Sequence, residues 1–329
     1  MPEDICESLK AASSGWVGDA PDGAMLKATR AFLTRAQTDT AVLREAAECM
    51  RHAEPGAAVW IAVACGTAVE SGAPAEIMGE PVFDLLRSWL PKFPQFSDDP
   101  AAPPELTAEQ RTLLPLFRYL CQAVVTHLAR LPAQRETMGG DAALMDRLGE
   151  LQSLSHGPVW VREALLKTSG TLILLQPTSG FGLKIAYANV SNNFHLFSLI
   201  QSTVGTDVPD GRPVDPAIAR VARGKSTDTV QDEASWHYGS ALSSKPEITT
   251  MIFGEAMVSD IPRVDGVPVI VLWPKILKSR VWDGSFLGPH LDAMPADLRV
   301  EGKLPAEEVA AWFKRLKITT DKPWWRFWA

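Results

Sequence analysis

The sequence predicts an α+β protein, in which a helical N-terminal domain is followed by a C-terminal domain with a small mixed or antiparallel sheet and packed helices. Three observations favour this fold class. Apolar residues recur at three- and four-residue spacing over residues 1–154, apolar runs of strand length follow, and a turn at residues 177–182 separates two of those runs. The chain of 329 residues, 46% of them hydrophobic, is long enough for two such domains.

The N-terminal domain, residues 1–154, is predicted to be helical because cap and stop signals stand at the ends of its periodic segments. Thr107 and Gln110 form a capping box before the longest helix, and Pro115 is expected to kink that helix or to begin its second segment. Helix starts recur 33 and 35 residues apart, near the period of a two-helix repeat, but the residue signature of tetratricopeptide repeats is missing. An irregular bundle is therefore favoured over a repeat array. The predicted helices span residues 24–37, 41–53, 57–71, 81–90, 107–130 and 142–154, with a proline-rich loop at 91–105.

The C-terminal domain, residues 155–329, is organised around residues 170–201, its most apolar segment. Gly170 and Pro177 bound a short apolar run, which favours a buried strand, and the turn that follows predicts a hairpin at the centre of the sheet. Asp265-Gly266 is typical of a second, two-residue hairpin turn. The other predicted elements are strands at residues 248–253, 261–264 and 267–273 and helices at residues 193–204, 215–224 and 305–317.

Charge is distributed unevenly along the chain. The formal net charge is −7, and residues 1–150 carry 13 basic and 21 acidic residues, whereas residues 151–329 carry 19 and 18. Neither half has the basic excess that is typical of proteins that bind nucleic acid through its phosphates. No nucleic-acid partner is therefore predicted.

Neither a secretory signal nor a membrane span is predicted. The first residues are acidic and precede no apolar run, and the best membrane candidate, residues 57–69, is shorter than the ~20 residues that a spanning helix needs. The cysteines lie in helical patterns and form no Cys-x-x-Cys pair, so reduced, buried thiols are expected rather than disulfides. They are Cys6, Cys49, Cys65 and Cys121. These features favour a soluble, cytoplasmic protein.

The search for catalytic and cofactor-binding motifs finds none of the common ones, and neither a cofactor nor a metal is predicted. The densest polar and aromatic cluster is residues 232–239. If this segment were helical, Glu233 and His237 would lie four residues apart on one face and could share a metal or act as an acid–base pair. The alternative, which is favoured, is a structural corner in which Trp236 and Tyr238 bury their rings and form hydrogen bonds at their polar tips.

A second cluster, residues 282–292, has the composition of a polar loop held by aromatic side chains. If the fold brings it beside the first cluster, His237, Asp283 and His290 could form a metal or general-base site, with Asp292 as a further carboxylate. The candidate catalytic residues are therefore Glu233, His237, Asp283 and His290.

The last seven residues, 323–329, contain four large aromatic side chains, which are costly to leave in water. Three ways of covering them are open: docking on the protein's own surface, an interface with another chain, or a membrane surface. Docking on the protein's own surface is favoured, and the membrane is the weakest of the three because only one arginine, Arg326, stands beside the aromatic residues. The candidate interaction residues are Trp324, Trp325, Phe327 and Trp328.

The favoured functional hypothesis is a soluble intracellular interaction or adaptor protein that acts in a larger protein assembly. A protein partner is expected to bind through the helical domain or the aromatic tail. The first alternative is a hydrolase-type enzyme with a site around His237, Asp283 and His290, and the second is a small-ligand-sensing domain with a pocket beside the central hairpin. Convergence of those three residues in a pocket would favour the enzyme, whereas an apolar groove on the helical domain would favour the adaptor.

Overall fold

The computed structural model describes residues 4–95, 104–228, 231–276, 281–283, 287 and 290–318, with only the backbone described at residues 231, 232 and 281–283. The chain divides into two compact units, Met1–Leu166 and Lys167–Ala329, called unit 1 and unit 2. Unit 1 is helical, and unit 2 combines a mixed sheet with helices, which confirms the α+β class. None of the helices in the described ranges has the length and apolar character that a membrane span requires.

Unit 1 consists of helices in the part of the chain that is described. Most of the predicted helices are confirmed within a few residues, and the structure adds three that were not predicted, namely α1, α7 and α9. The helices are α1 Ile5–Ala12, α2 Gly23–Ala36, α3 Ala41–Arg51, α4 Pro55–Glu70, α5 Glu76–Trp89, α6 Ala108–Arg130, α7 Pro132–Gly139, α8 Ala142–Leu151 and α9 Gly157–Leu166. The capping box of Thr107 and Gln110 is present at the start of α6, and Pro115 lies inside this continuous helix.

Helix α4 lies at the centre of unit 1. Its start is fixed by Glu54, whose carboxylate accepts hydrogen bonds from the amides of Gly56 and Ala57, and by Pro55 in its first turn. A Cβ on Gly56 would lie 2.0 Å from the carbonyl oxygen of Trp16, so the close approach requires glycine. Small side chains along α4 allow α1, α2, α3, α5 and α6 to pack against it.

The division between the units lies after Leu166, not at residue 155 as predicted. Gly157 and Pro158, which resemble a break in the sequence, begin α9, and this helix packs on α6, α7 and α8. A Cβ on Gly157 would lie 2.8 Å from the Cβ of Cys121, so the glycine allows α9 to approach α6 closely. The glycine therefore belongs to a helix contact and not to a linker.

Unit 2 contains, within the described residues, a six-stranded sheet with the order β4-β6-β1-β2-β8, in which β5 pairs with β6. Strands β3 and β7 form a separate antiparallel pair. The strands are β1 Thr168–Gln176, β2 Phe181–Val190, β3 Gln231–Glu233, β4 His237–Ser240, β5 Arg263–Val264, β6 Val267–Trp273, β7 Val281–Asp283 and β8 Asp297–Lys303. Both hairpin predictions are confirmed: β1 pairs with β2 across the turn after Gln176, and Asp265 and Gly266 connect β5 to β6 with positive φ angles of 50° and 80°.

The sheet is covered on both faces. Leu172 and Leu174 of β1 point into a core that includes the apolar residues of helix α10 (Asn193–Val204) and part of α11 (Pro216–Ala222). Ile173 and Leu175 point to the other face, which helix α12 (Ala306–Arg315) covers. Successive side chains along β1 and β6 alternate between the two faces of the sheet. Each residue of these strands can therefore be assigned to either the α10 face or the α12 face.

The predicted strand at residues 248–253 is wrong. Ile248–Thr250 form a 3₁₀ turn, and the segment contributes only a single bridge between Met251 and Gly239. Ile248 is 52% exposed and Phe253 is 58% exposed, so the apolar residues of this segment do not alternate between core and solvent as a strand requires.

Candidate functional site

Among the described residues, unit 1 carries a groove with a volume of about 490 Å³. The C-terminal end of α3, the first turn of α4 and the C-terminal half of α5 form its walls. Its apolar lining consists of Met50, Ala53, Pro55, Ala58, Pro81, Leu85 and Trp89. The groove is open to solvent on one side and exposes polar as well as apolar surface, so it resembles a surface for a peptide segment more than an enclosed pocket for a small ligand.

Trp89 lies deep in the groove wall and is 2% exposed. Its ring stacks on Phe117 of α6 at 6.5 Å between centroids, and Phe93 packs on the same Phe117 at 4.6 Å. The ammonium group of Lys92 lies 5.9 Å from the centroid of the Trp89 ring, on the solvent side of the groove. This aromatic stack holds one groove wall rigidly in place.

Charged side chains of both signs stand along the groove. Arg51 pairs with Glu48 of its own helix, and Asp84 accepts a hydrogen bond of 3.0 Å from Arg87. Arg87 also pairs with Glu80 at 2.8 Å, and the hydrogen bond to Glu80 raises the pKa of the Arg87 guanidinium. An apolar lining with mixed charges at the rim suits a peptide segment better than a simple ion, because such a segment offers both apolar and charged side chains.

A second cavity of about 360 Å³ lies beside the end of α5, between Arg87 and Arg147. The Arg147 guanidinium donates hydrogen bonds to the carbonyl oxygens of Leu90, Phe93 and Pro94 at 3.1, 2.8 and 3.1 Å. Arg147 therefore fastens the loop after α5 and is already occupied, which leaves the larger groove as the better candidate for a binding site.

The cluster around His237 is structural in form. His237 begins strand β4, is 3% exposed, and its Nε2 lies 3.1 Å from the carbonyl oxygen of Glu247. Tyr238 is completely buried, and its ring stacks on Phe197 at 3.9 Å. Because Glu233 ends strand β3 and His237 begins strand β4, the two residues do not share a helical face, and that condition for an acid–base pair is not met.

The structure separates His237 from His290. His237 pairs with Trp273 in the sheet register, and Trp273 belongs to the core on the α12 face. His290 lies against Gly224 at the end of α11, on the α10 side, and its Nε2 is 3.2 Å from Asp292. The proposed constellation is therefore divided between opposite faces of the sheet.

The remaining candidates have different positions. Glu233 ends β3, and its carboxylate lies 3.2 Å from the ammonium group of Lys275. Asp283 pairs through its backbone with Gln231 in the small β3–β7 ribbon, and its side chain lies outside the described part of the structure. The aromatic residues Trp324, Trp325, Phe327 and Trp328 also lie outside the described residues.

A buried polar cluster that the sequence analysis did not identify lies between β1 and α10. The Lys167 ammonium donates a hydrogen bond of 3.0 Å to Ser191 Oγ, and the Ser191 amide donates one of 3.3 Å to His195 Nδ1. His195 Nε2 lies 2.7 Å from the carbonyl oxygen of Ala222. Burial lowers the pKa of His195 to about 4, so the imidazole is neutral, with Nε2 donating and Nδ1 accepting.

A serine beside a lysine suggests a nucleophile and a base, but nucleophilic catalysis of acyl transfer also needs donors for the oxyanion. The amides at the start of α10 are occupied: Asn193 N donates to Ala256 O, Phe194 N to Gly254 O, and His195 N to the Asn192 side chain. Lys167 and Ser191 are also only 4% and 5% exposed. We therefore interpret the cluster as a structural connection between β1, α10 and α11.

The described residues contain one group of potential metal ligands, in which side-chain atoms of Asp4, Cys6 and Glu45 lie within 4.8 Å of one another. Asp4 caps α1 by accepting hydrogen bonds from the amides of Cys6 and Glu7. Burial, together with the nearby Cys49 thiol and carboxylates, raises the pKa of Cys6 to about 12, so its thiol is protonated at neutral pH. A protonated thiol at the positive end of a helix is a poor cation ligand.

The chain was also compared with proteins of known family, function and structure. No family model, no curated protein and no solved structure matches the chain. The functional inference therefore rests on the geometry of its own residues, and the groove in unit 1 is the site that this geometry favours.

Proposed function

We propose that this chain is an interaction protein of the cytoplasm, which binds an extended segment of a protein partner in the groove of unit 1. The aromatic residues Trp324, Trp325, Phe327 and Trp328 are the second proposed contact element. Support for the compartment comes from the cysteines, which are unpaired, as is usual where thiols are kept reduced.

The groove itself is the observation that carries the proposal. It combines seven apolar lining residues with charges of both signs and a wall held by stacked aromatic rings. Such a surface can bury an apolar anchor at its centre while the rim selects the charges of the partner. The competing hydrolase hypothesis is weaker because it needs His237 and His290 together, and the sheet lies between them.

The test is a selection of random peptides displayed on phage against the purified full-length chain. Leu85→Arg places a charged side chain in the groove, while Leu26→Arg makes the same change at an exposed position of α2 that is not part of the groove lining. Selected peptides should bind the wild type and Leu26→Arg equally and bind Leu85→Arg at least about tenfold more weakly, a difference of about 1.4 kcal/mol.

Two results would contradict the proposal. The selection could yield no peptide that binds the purified chain, or the selected peptides could bind Leu85→Arg as tightly as they bind the wild type. In either case the groove is not a site for peptide segments.

A further inference from the structure

The groove in unit 1 has a chemical match in the chain itself. We propose that its occupant is the aromatic segment at residues 323–329 of a second copy of this chain, so that the groove of one copy holds the tail of another. This inference rests on the proposed function of the groove and names the partner. The argument has three steps: apolar fit, charge and symmetry.

The apolar fit comes from the types of side chain on each side. The segment Pro-Trp-Trp-Arg-Phe-Trp-Ala offers four large rings, each of which can bury about 150–250 Å². The groove offers the rings of Pro55 and Pro81 and the side chains of Ala53 and Leu85, which are exposed or half-buried, whereas Met50 is only 2% exposed. Large aromatic rings bury much apolar area against such side chains, so this part of the lining can receive tryptophan or phenylalanine.

One charge pair is available between the two surfaces. Arg326 is the only charged residue of the segment, and Asp84 is the acidic residue of the groove. The side chain of Asp84 is 63% exposed, so it can accept a second guanidinium beside that of Arg87. Arg51 and Lys92 are cations that can lie over the faces of the incoming rings, as Lys92 already does over Trp89.

The contact joins two different surfaces of the chain, so it is heterologous and not a symmetric face-to-face contact. A heterologous contact produces closed rings when the rotation closes and open chains when it does not. Association should therefore rise with protein concentration and lead either to a closed ring, of which a dimer with exchanged tails is the smallest, or to open chains. The volume of about 490 Å³ accepts only part of the segment, so we expect two rings in the groove and the others at its rim.

The experiment uses two variants that each lack one half of the contact. Deletion of residues 324–329 leaves an intact groove without a tail, and Leu85→Arg leaves an intact tail with a blocked groove. In sedimentation velocity, the wild type should associate with rising concentration, and each variant alone should remain a monomer. An equimolar mixture of the two variants should form a one-to-one complex, because one usable groove then meets one usable tail.

A charge exchange gives a second test that does not depend on Leu85. Asp84→Lys and Arg326→Glu should each weaken the association about tenfold, and the two changes together in one chain should restore it, because the pair is then reversed. Asp84 is on the surface, so the variant should fold normally. Leu26→Arg is the matched control and should associate like the wild type.

The outcomes separate this inference from the proposed function. Three outcomes would overturn the tail as the occupant. The wild type could be a monomer at all concentrations, the mixture of the two variants could contain only monomers, or the variant without residues 324–329 could still associate. If the peptide selection still yields ligands that depend on Leu85, the proposed function stands and only the identity of the partner is wrong. If that selection also fails, both the proposed function of the groove and the tail as its occupant are wrong.

Discussion

Unit 1 buries few polar side chains, whereas unit 2 buries many. Among the described residues, three polar or charged side chains are buried in unit 1 and eleven in unit 2. The geometry of unit 1 is set mainly by shape, as the contact of Gly56 with Trp16 and the stack of Trp89 on Phe117 illustrate. The geometry of unit 2 depends in addition on specific side-chain hydrogen bonds.

Gln201 shows how those hydrogen bonds connect elements of unit 2. Its side chain is fully buried in α10, donates to the carbonyl oxygen of Glu233 at 3.1 Å and accepts from the amide of Ser235 at 2.7 Å. One side chain thus binds two backbone groups of the segment that connects β3 to β4. The comparison teaches that substitutions in unit 1 should act through lost volume, while those in unit 2 should act through unpaired polar groups.

The largest effect is expected for Phe117→Ala in unit 1. Phe117 is 1% exposed and packs on both Trp89 and Phe93, so the change leaves a cavity under the groove wall. The free energy of unfolding should fall by about 3–5 kcal/mol in chemical denaturation. Phe253→Ala, at a position that is 58% exposed, should change it by less than about 0.5 kcal/mol. A loss below 1 kcal/mol for Phe117→Ala would break the claim that shape dominates unit 1.

The next effect is a loss of stability in acid that comes from His195. Its pKa is lowered to about 4, mainly by burial and in part by the neighbouring charges of Lys167 and His290, while the hydrogen bond to Ala222 acts in the opposite direction. The unfolded chain takes up this proton near pH 6.5 and the folded chain only near pH 4, so stability falls as the pH drops through that interval. The total loss should be about 3 kcal/mol by pH 4, and none is expected from this group above pH 6.5.

Denaturation curves at several pH values check this prediction. His195→Gln should be less stable than the wild type at pH 7. Its free energy of unfolding should also fall less steeply between pH 6.5 and pH 4, because the contribution of His195 is removed. Burial also lowers the pKa of His127 in unit 1, so the comparison is best made in a His127→Leu background. An unchanged slope in His195→Gln would show that His195 does not control the acid response.

A smaller effect should follow when a buried polar side chain is replaced by leucine in each unit. Gln201→Leu leaves the buried Ser235 amide without its acceptor, while the Glu233 carbonyl keeps the hydrogen bond from Arg212, and the change should cost about 2 kcal/mol. His127→Leu should be neutral or stabilising, because His127 Nε2 is buried with no hydrogen-bond partner among the described residues. Equal losses for the two variants in thermal and chemical unfolding would remove the distinction between the units.

The smallest effect is expected for Leu85→Arg. Leu85 is half-buried at the groove and is not part of the closed core of unit 1, so the free energy of unfolding should change by less than about 0.5 kcal/mol. Circular dichroism melting curves of the wild type and the variant should therefore nearly coincide. A large drop would mean that Leu85 has a structural role, and the groove would then have to be tested with Asp84→Lys.

Local signals predicted much of this fold. Two confirmed predictions, a hairpin turn and a helix cap, depend only on residues that are close in sequence. They are the turn at Asp265-Gly266 and the capping box of Thr107 and Gln110. The error at Gly157 arose because a glycine that permits close helix packing looks the same in sequence as one that ends a helix. The error at residues 248–253 arose because burial, not strand propensity, decides whether a short apolar run joins a sheet.

The candidate site was less predictable for a physical reason. Met50, Leu85 and Lys92 belong to different elements and share no spacing pattern, so only the packing of α3 on α5 brings them to one groove. The separation of His237 from His290 likewise follows from strand register and from which face each helix covers. The general expectation of a groove on the helical half could be stated in advance, but its residues could not.

The parallel pairing of β1 with β6 has a consequence for the order in which unit 2 folds. Ile173 pairs with Val269, which is 96 positions later in the chain, whereas the β1–β2 and β5–β6 hairpins each form between near neighbours. Closing a long loop costs more entropy than closing a short one, so the hairpins can form early and the β1–β6 pair must form late. During synthesis, the apolar edge of β1 therefore stays without its partner until the ribosome has passed residue 271, and this interval is when the chain is most exposed to aggregation.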